Sequence, residues 1–523
     1  MFVSSNGTGL GHLTRSMAIA RRLSPEIGPL FVTLSRAAPV VREMGFPVEY
    51  MASHGSTGAG SDWRWSRRLT ARLAAAIDEA APRVLVFDGI LPYDPLLAAM
   101  KRVPVTVWSR RGMWQPGASA IPLTRSDLFD AILEPGEFAA SADSGPTSRR
   151  RDEAHQVAPI VFLDDSEILP RDEAQRELGL EPGRPAILVQ LGQGAEVAAA
   201  NDRCLRVLAA RDDVQVAAAS SAIAGLLDVP EGVVHLRSAY PMSRYYAAFD
   251  GAVSAAGYNV FHELVRLEVP ALFVPMRRET DDQPARARYA AQAGVGLAVD
   301  GPGDGQINER LHELLDPERR RAMRDKLREL RPDNGAQDAA EWLQRLAGDL
   351  QGAPRKAVEQ GLRDAPAPIH GRGRAFLGVT WGSPARALAF VRTLPKTLVR
   401  LTHQTVSLPG PRTIVLAFGA DEHAIADAIA RASDPPERIL VVTDSLAIGE
   451  VWRAGTGVEH VPGPEDRQAA LAGIDYADFR RRRLGLILAH RPRLKRMIDV
   501  GDVPLELGEA VLASPRRRAR LLS

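Results

Sequence analysis

Ser254-Ala255-Ala256-Gly257-Tyr258-Asn259-Val260-Phe261-His262-Glu263 carries the reading of this chain. The apolar run 251–254 has the look of a strand, and it enters a glycine turn that opens a helical pattern. A helix begun on Gly257 presents free N–H groups to which a backbone-hugging diphosphate can bind. Glu263 lies about one helical turn further in, where a carboxylate can accept from ribose hydroxyls. A second apolar run, 271–275, leads to Asp281-Asp282-Gln283, and Asp282 with Gln283 is suited to sugar hydroxyls. The pieces describe a nucleotide-sugar site at the carboxyl ends of parallel strands.

Upstream, Ser4-Ser5-Asn6-Gly7-Thr8-Gly9-Leu10-Gly11-His12 ends a short strand and opens another helix. No Gly-Lys-Ser/Thr closes it, so it is not a P-loop. It misses the dinucleotide fingerprint too, because His12 stands where the third glycine would fall and no acid follows the second strand at Ser35-Arg36. Gly9 and Gly11 allow close approach of a ligand, and His12 puts a titratable group beside it. Asp88, after the run Val84-Leu85-Val86-Phe87, is the carboxylate expected to orient that histidine or an acceptor hydroxyl.

The rest of the chain alternates continuous apolar runs with amphipathic helical stretches, the pattern of parallel sheets covered on both faces. Runs at 30–34, 83–87 and 103–107 build a first unit, expected over 1–150. Those at 186–191, 214–217, 233–236, 251–254 and 271–275 build a second, expected over 151–350. A segment rich in Gly, Pro and charge, 351–374, reads as a linker. A smaller α/β extension of unassigned function, 375–523, has runs at 375–379, 413–418, 438–443 and 458–461. With 523 residues, 45% hydrophobic and a net charge of +2, the chain has material for two or three cores and no global affinity for polyanions. One cysteine, Cys204, excludes an internal disulfide framework and fits a reducing cytoplasm. No signal-peptide pattern and no membrane-length apolar run is present.

With both motifs in hand, 1–348 resembles the GT-B glycosyltransferases, particularly the group containing the peptidoglycan N-acetylglucosaminyltransferase and the UDP-glycosyltransferases. The loop Asn6–His12 is similar to that family's N-terminal glycine loop. Ser254–Glu263 is similar to its diphosphate and ribose motif, and Asp282-Gln283 to its sugar-binding pair. The resemblance implies two Rossmann-like domains facing across a cleft, with acceptor on the first and nucleotide-sugar donor on the second. It implies transfer of a sugar, expected from a UDP-sugar, to a hydroxyl on a glycan, glycolipid or small molecule. It also implies that no metal or cofactor takes part and that helix dipole and backbone amides stabilise the leaving diphosphate. His12 becomes the candidate base of an inverting displacement. Donor contacts fall on Gly9, Gly11, Gly257, Tyr258, Asn259, Glu263, Asp282 and Gln283, with Gly192 and Gly194 in the loop after the second domain's first strand. Ala255 departs from the histidine many relatives carry early in the motif.

Trp63, Trp65, Arg110 and Arg111 form a candidate acceptor surface, since aromatic faces stack on sugars and arginines grip anions. From 476 to 523 there are 12 Lys/Arg against 5 Asp/Glu, read as a solvated basic helix or as a contact with anionic membrane from the cytoplasmic side. No aromatic platform accompanies that charge, so nothing points to nucleic acid. Two alternatives stay open. A nucleotide-sugar epimerase of the same fold would need further acid/base groups in the cleft. A non-catalytic sugar-nucleotide binder or scaffold becomes the reading if His12 and Asp88 do not converge on the donor site.

Overall fold

Strands that are apolar on both faces have to be covered on both, and this chain meets that demand three times. The computed structural model describes residues 1–5, 10–54, 62–192, 195–220, 229–237 and 239–349. In the last third it describes 411–449, 451, 454–464, 466, 474–489, 491 and 494–501. The first sheet contains β1 (Phe2–Ser4), β2 (Phe31–Thr33), β3 (Val48–Tyr50), β4 (Val84–Asp88), β5 (Val105–Ser109), β6 (Ala131–Pro135) and β7 (Ala154–Val157). Their order is β3-β2-β1-β4-β5-β6-β7, parallel throughout. Leu13, Met17, Phe31, Val41 and Val107 fill one face of it, and Leu73, Ile77, Phe87, Leu97 and Trp108 the other.

The second sheet repeats the plan with β8 (Ala186–Gln190), β9 (Gln215–Ala219), β10 (Val233–Leu236), β11 (Gly251–Ser254), β12 (Ala271–Phe273) and β13 (Gly296–Ala298). Its order is β10-β9-β8-β11-β12-β13, again all parallel. In both sheets the first strand lies between the second and the fourth. The chain therefore reverses its winding direction at β1/β4 and at β8/β11, and such reversals leave a crevice beyond the carboxyl ends.

The two units differ at their edges from the expected boundaries. β7 carries the first sheet to Val157, past residue 150. The helix Ala336–Asp349 returns to the first unit, where Ala336, Ala339, Ala340 and Leu343 pack with Leu13 and Met17. The two crossings run side by side: Gly335 N–H donates to Pro159 O at 3.0 Å and Val161 N–H to Asn334 Oδ1 at 3.2 Å. A Cβ at Gly335 would stand 2.1 Å from Ala158 O, so only glycine admits this approach.

A third parallel sheet follows, with β14 (Thr413–Ala417), β15 (Ile439–Thr443), β16 (Gly457–His460) and β17 (Arg496–Asp499) in the order β16-β15-β14-β17. The expected strand at 375–379 and the linker 351–374 lie outside the described residues. This sheet docks beside β3 through buried charge as well as apolar contact, with Leu446 packed into the first unit's core. Arg72, on the helix Asp62–Ala80, lies 2.7 Å from both Glu49 and Glu459 and donates to His460 O at 2.6 Å. Arg483, on the helix Tyr476–Ala489, reaches Glu49 at 2.9 Å and Glu79 at 2.8 Å. Tyr50 N–H donates to His460 Nδ1 at 3.2 Å. Burial, with Arg42 and Arg72 close by, holds that imidazole far below its ordinary pKa, in the neutral form able to accept.

These contacts correct the reading of the basic helix as wholly solvated: Arg483 is turned inward, while Arg481 and Arg482 stay at the surface. Arg483 is 1% exposed, and Arg480 lies over the Phe418 ring at 5.1 Å. The excess of basic residues points to an outer face, but a carboxylate-lined partner surface turns part of it inward. Arg516–Arg518 lie outside the described residues. Among the described residues no helix is long and apolar enough to cross a membrane.

Candidate active site

The winding reversal of the first sheet brings β1 and β4 together, and with them the residues that follow or end each strand. His12 is the second residue of the helix Gly11–Ala20, and Asp88 ends β4. His12 Nδ1 stands 2.5 Å from Asp88 Oδ1. Burial alone would raise the Asp88 carboxyl, but Arg15 and then His12 outweigh it and hold it at about 2. An ionised carboxylate only accepts, so Nδ1 carries the proton and Nε2 keeps the lone pair. No described residue hydrogen-bonds to Nε2. Burial also lowers the His12 pKa; Asp88 works against this, while Arg15 and Arg111 add to it. The side chain of His12 is 16% exposed and that of Asp88 2%, so the imidazole is the reachable member of the pair.

On the second sheet, β11 runs into Gly257, which caps the helix Tyr258–Arg266 without any side-chain cap. Its first-turn N–H groups have no acceptor from that cap residue. Gln283 lies against this turn: a Cβ on Gly257 would meet its Nε2 at 3.7 Å. Gln283 also accepts from Met276 N–H at 2.9 Å and donates to Asp281 Oδ2 at 3.1 Å, which fixes its amide. The two glycine motifs meet across the domain boundary, where Asn259 Nδ2 donates to Gly11 O at 3.2 Å.

Other expected residues land elsewhere. Gly192 follows β8 with a φ of +89°, which suits glycine. Gly9, Gly194 and the Trp63 side chain lie outside the described residues. Asp282 caps the helix Gln283–Gln292 by accepting from Ala285 N–H at 3.1 Å. Glu263 is buried, with Ser243 Oγ donating from 3.4 Å, and burial pushes its carboxyl up to about 8.

Three expectations need correction. Arg110 is not an acceptor contact. It is 0% exposed and tied to Glu153, Glu134 and Arg150 O, because β5 aims it under the sheet edge. Tyr258 is turned inward, its hydroxyl donating to Gly136 O at 2.8 Å and accepting from Ile160 N–H at 3.1 Å. Trp65 is half-buried against the core and donates Nε1–H to Ala52 O at 2.9 Å, as an indole inside a domain must.

Arg111 does face the second domain, 3.0 Å from Asp281 and over the Tyr258 ring at 5.6 Å. Asp281 is shared with Arg286, which also grips Glu137 at 2.9 Å and donates to Ala256 O at 2.6 Å. Burial would raise Asp281, but Arg286 and Arg111 hold it at about 2. The segment before Asp282 is further pinned to the first domain by Gln115 N–H to Thr280 O at 2.7 Å and Asp282 N–H to Met113 O at 2.9 Å. Sequence reasoning missed Arg15, Glu137 and Arg286. Only Arg15 had a local signal, since spacing i,i+3 from His12 puts both on one helix face.

The raised carboxyl of Glu263 has a testable consequence. Between the ordinary glutamate pKa of about 4.3 and about 8, the folded state keeps a proton that the unfolded chain has lost, so stability falls as pH rises through that window. Glu263→Gln is therefore expected to melt with wild type near the acid end and above it at pH 8, by roughly 2–4 °C for each kcal/mol recovered. Parallel thermal unfolding curves across this range check the slope.

Residues 230–342 match the glycosyltransferase family 28 C-terminal domain. The UDP-N-acetylglucosamine–N-acetylmuramyl-(pentapeptide) pyrophosphoryl-undecaprenol N-acetylglucosamine transferase of Nocardioides sp. (strain ATCC BAA-499 / JS614) is 28% identical over 320 residues, covering 57% of this chain and 84% of that protein. Among solved structures, MurG of Acinetobacter baumannii aligns over 66% of this chain and 99% of its own at 17% identity, with a TM-score of 0.43. The glycosyltransferase VinC, in complex with DTDP, aligns over 67% and 100% at 17% identity, with a TM-score of 0.46. The doubly wound domain pair is that of a GT-B, nucleotide-sugar-dependent glycosyltransferase, and its second domain is similar to the family 28 C-terminal domain.

Proposed function

We propose that this glycosyltransferase moves a sugar from a UDP-sugar to an acceptor hydroxyl in a single inverting displacement, with His12 as general base. The observation that carries the reading is the His12–Asp88 pair at the β1/β4 reversal, with Nδ1 against the carboxylate and the pair held beside the start of the Gly257 helix. In that reading Nε2 takes the proton of the acceptor hydroxyl as its oxygen attacks the anomeric carbon. Asp88 steadies the imidazolium that forms. On the opposite side, the bond to the diphosphate breaks, and the developing charge falls on the free N–H groups of the Gly257 turn.

Glu263 would accept from the ribose hydroxyls, beside the donors it already has from Ser243 and the Phe162 backbone. Gln283 would sit between diphosphate and sugar, while Asp282 acts through the helix it caps. The choice of a uracil nucleotide draws support from the name of the Nocardioides relative. With Arg110 committed to the interior and Trp65 half-buried, the acceptor is defined by its hydroxyl. Cytoplasmic residence remains part of the same reading, on the single buried cysteine and the nucleotide-sugar donor.

The donor half is tested by thermal shift with UDP-, GDP- and dTDP-sugars on the full-length protein. A UDP-sugar is expected to raise the melting temperature, by about 2.7 kcal/mol of stabilisation at a hundredfold excess over its Kd. If no nucleotide sugar stabilises the fold and none is consumed, the donor reading is lost.

A further inference from the structure

Arg15 is 2% exposed, and its guanidinium touches both domains. Nε and Nη2 grip Asp88 from 3.2 and 2.6 Å, a bidentate fork on the carboxylate that orients His12. Nη2 also stands 3.1 Å from His12 Nδ1. Nη1 reaches across the boundary to Asn259 Oδ1 at 3.3 Å, and the guanidinium lies over the Tyr258 ring at 5.2 Å. Asn259 completes the bridge with its bond back to Gly11 O. We infer that Arg15 is a positioning residue, which keeps the His12–Asp88 pair in its neutral-base form and takes its seat from Asn259 of the donor domain. The inference rests on the reading of His12 as general base.

The physical case turns on what faces the imidazole. Asp88 comes from β4, Arg15 from the histidine's own helix and Arg111 from the segment after β5. The second domain contributes the uncharged Tyr258 and Asn259. An unshared aspartate at this distance would favour the imidazolium, which cannot act as a base. Arg15 takes up that charge on both oxygens, so Asp88 fixes the tautomer without making the ring a strong base. A lysine in the same place could neutralise Asp88 but could not grip both its oxygens in a planar fork and also reach Asn259 with a third fixed donor. Disturbing the donor helix would therefore loosen the arginine and let the charge of Asp88 act on His12.

The test reads His12 directly, without donor or acceptor. Full-length protein labelled with nitrogen-15 histidine is titrated from acid to neutral pH by long-range proton–nitrogen NMR. The His12 signal is assigned by its loss in His12→Gln. Wild type is expected to hold the Nδ1-protonated tautomer to below the ordinary histidine midpoint. Arg15→Met is expected to raise the midpoint by about one pH unit or more. Arg15→Lys should return most of that shift, and Asn259→Ala should raise the midpoint by less than Arg15→Met. An unmoved midpoint in folded Arg15→Met overturns the inference. Should that variant not fold, Asn259→Ala decides, and an unmoved midpoint there overturns it as well. Failure of the base reading looks different: transfer would survive His12→Ala whatever the titrations show.

Discussion

His12→Ala is expected to lower sugar transfer about 10²–10⁴-fold while leaving nucleotide-sugar binding intact. The split follows from placement. His12 belongs to the first domain and meets Asp88 there, whereas the Gly257 turn, Gln283 and Glu263 belong to the second. Removing the imidazole takes away the proton acceptor and touches no group that holds the donor. Asp88→Asn should cost a similar factor for another reason, since an amide neither fixes the Nδ1–H tautomer nor balances Arg15.

The pH dependence has a defined sign. Burial lowers the His12 pKa, so the neutral base persists below the ordinary histidine value of about 6.5, and the acid limb of kcat/KM falls beneath it. Initial rates across pH, with donor affinity measured alongside by calorimetry, check both statements. Loss of donor affinity in His12→Ala equal to the loss of rate would show that the histidine binds rather than catalyses.

Arg483→Met is expected to destabilise the protein by about 3–5 kcal/mol, the largest stability effect anticipated for one side chain here. The substitution leaves Glu49 and Glu79 with a buried charge and one cation fewer, Arg72, at the junction of first and third sheets. Moving carboxylates out of water is costly, and the arginines make that cost bearable only as a set. Replacing Glu49 and Arg483 together by Gln and Met should therefore cost less than Arg483→Met alone. Urea unfolding of the three proteins, with hydrogen exchange followed over 413–499, measures both the loss and its location. Equal losses in single and double variants would mean that packing, not charge, holds the third sheet.

That junction also marks where reading from sequence runs out. Most strand runs of the three units could be read because continuous apolar stretches demand two covered faces, a local property. β3, β6, β7, β13 and β17 were not read, being short or polar on one side, and the run 375–379 lies outside the described residues. The glycine turns at Gly11 and Gly257 were equally plain, since a strand that enters a helix through glycine has few other geometries. The basic stretch at Arg480–Arg483 was read only in part, Arg483 being buried while Arg482 is exposed, because charge in sequence shows only what a face carries, not what it meets. Arg110 and Arg111 make the same point at one step of separation. They are alike in sequence, yet β5 turns the first inside its own domain and leaves the second facing Asp281 of the other.

His12, Asp88, Gly257 and Gln283 were each visible as residues of the right chemistry at the end of a strand. Period and punctuation along the chain determine which residues stand at strand ends, and the order of parallel strands determines on which side of a sheet they gather. Only the tertiary structure decided that His12 meets Asp88 through Nδ1, that Arg15 stands between them and Asn259, and that Tyr258 and Glu263 turn inward. Hydrogen-bond partners, burial and pKa all depend on what packs from elsewhere in the chain. Arg15 and Asn259 are separated by more than two hundred residues, and no local pattern encodes their meeting.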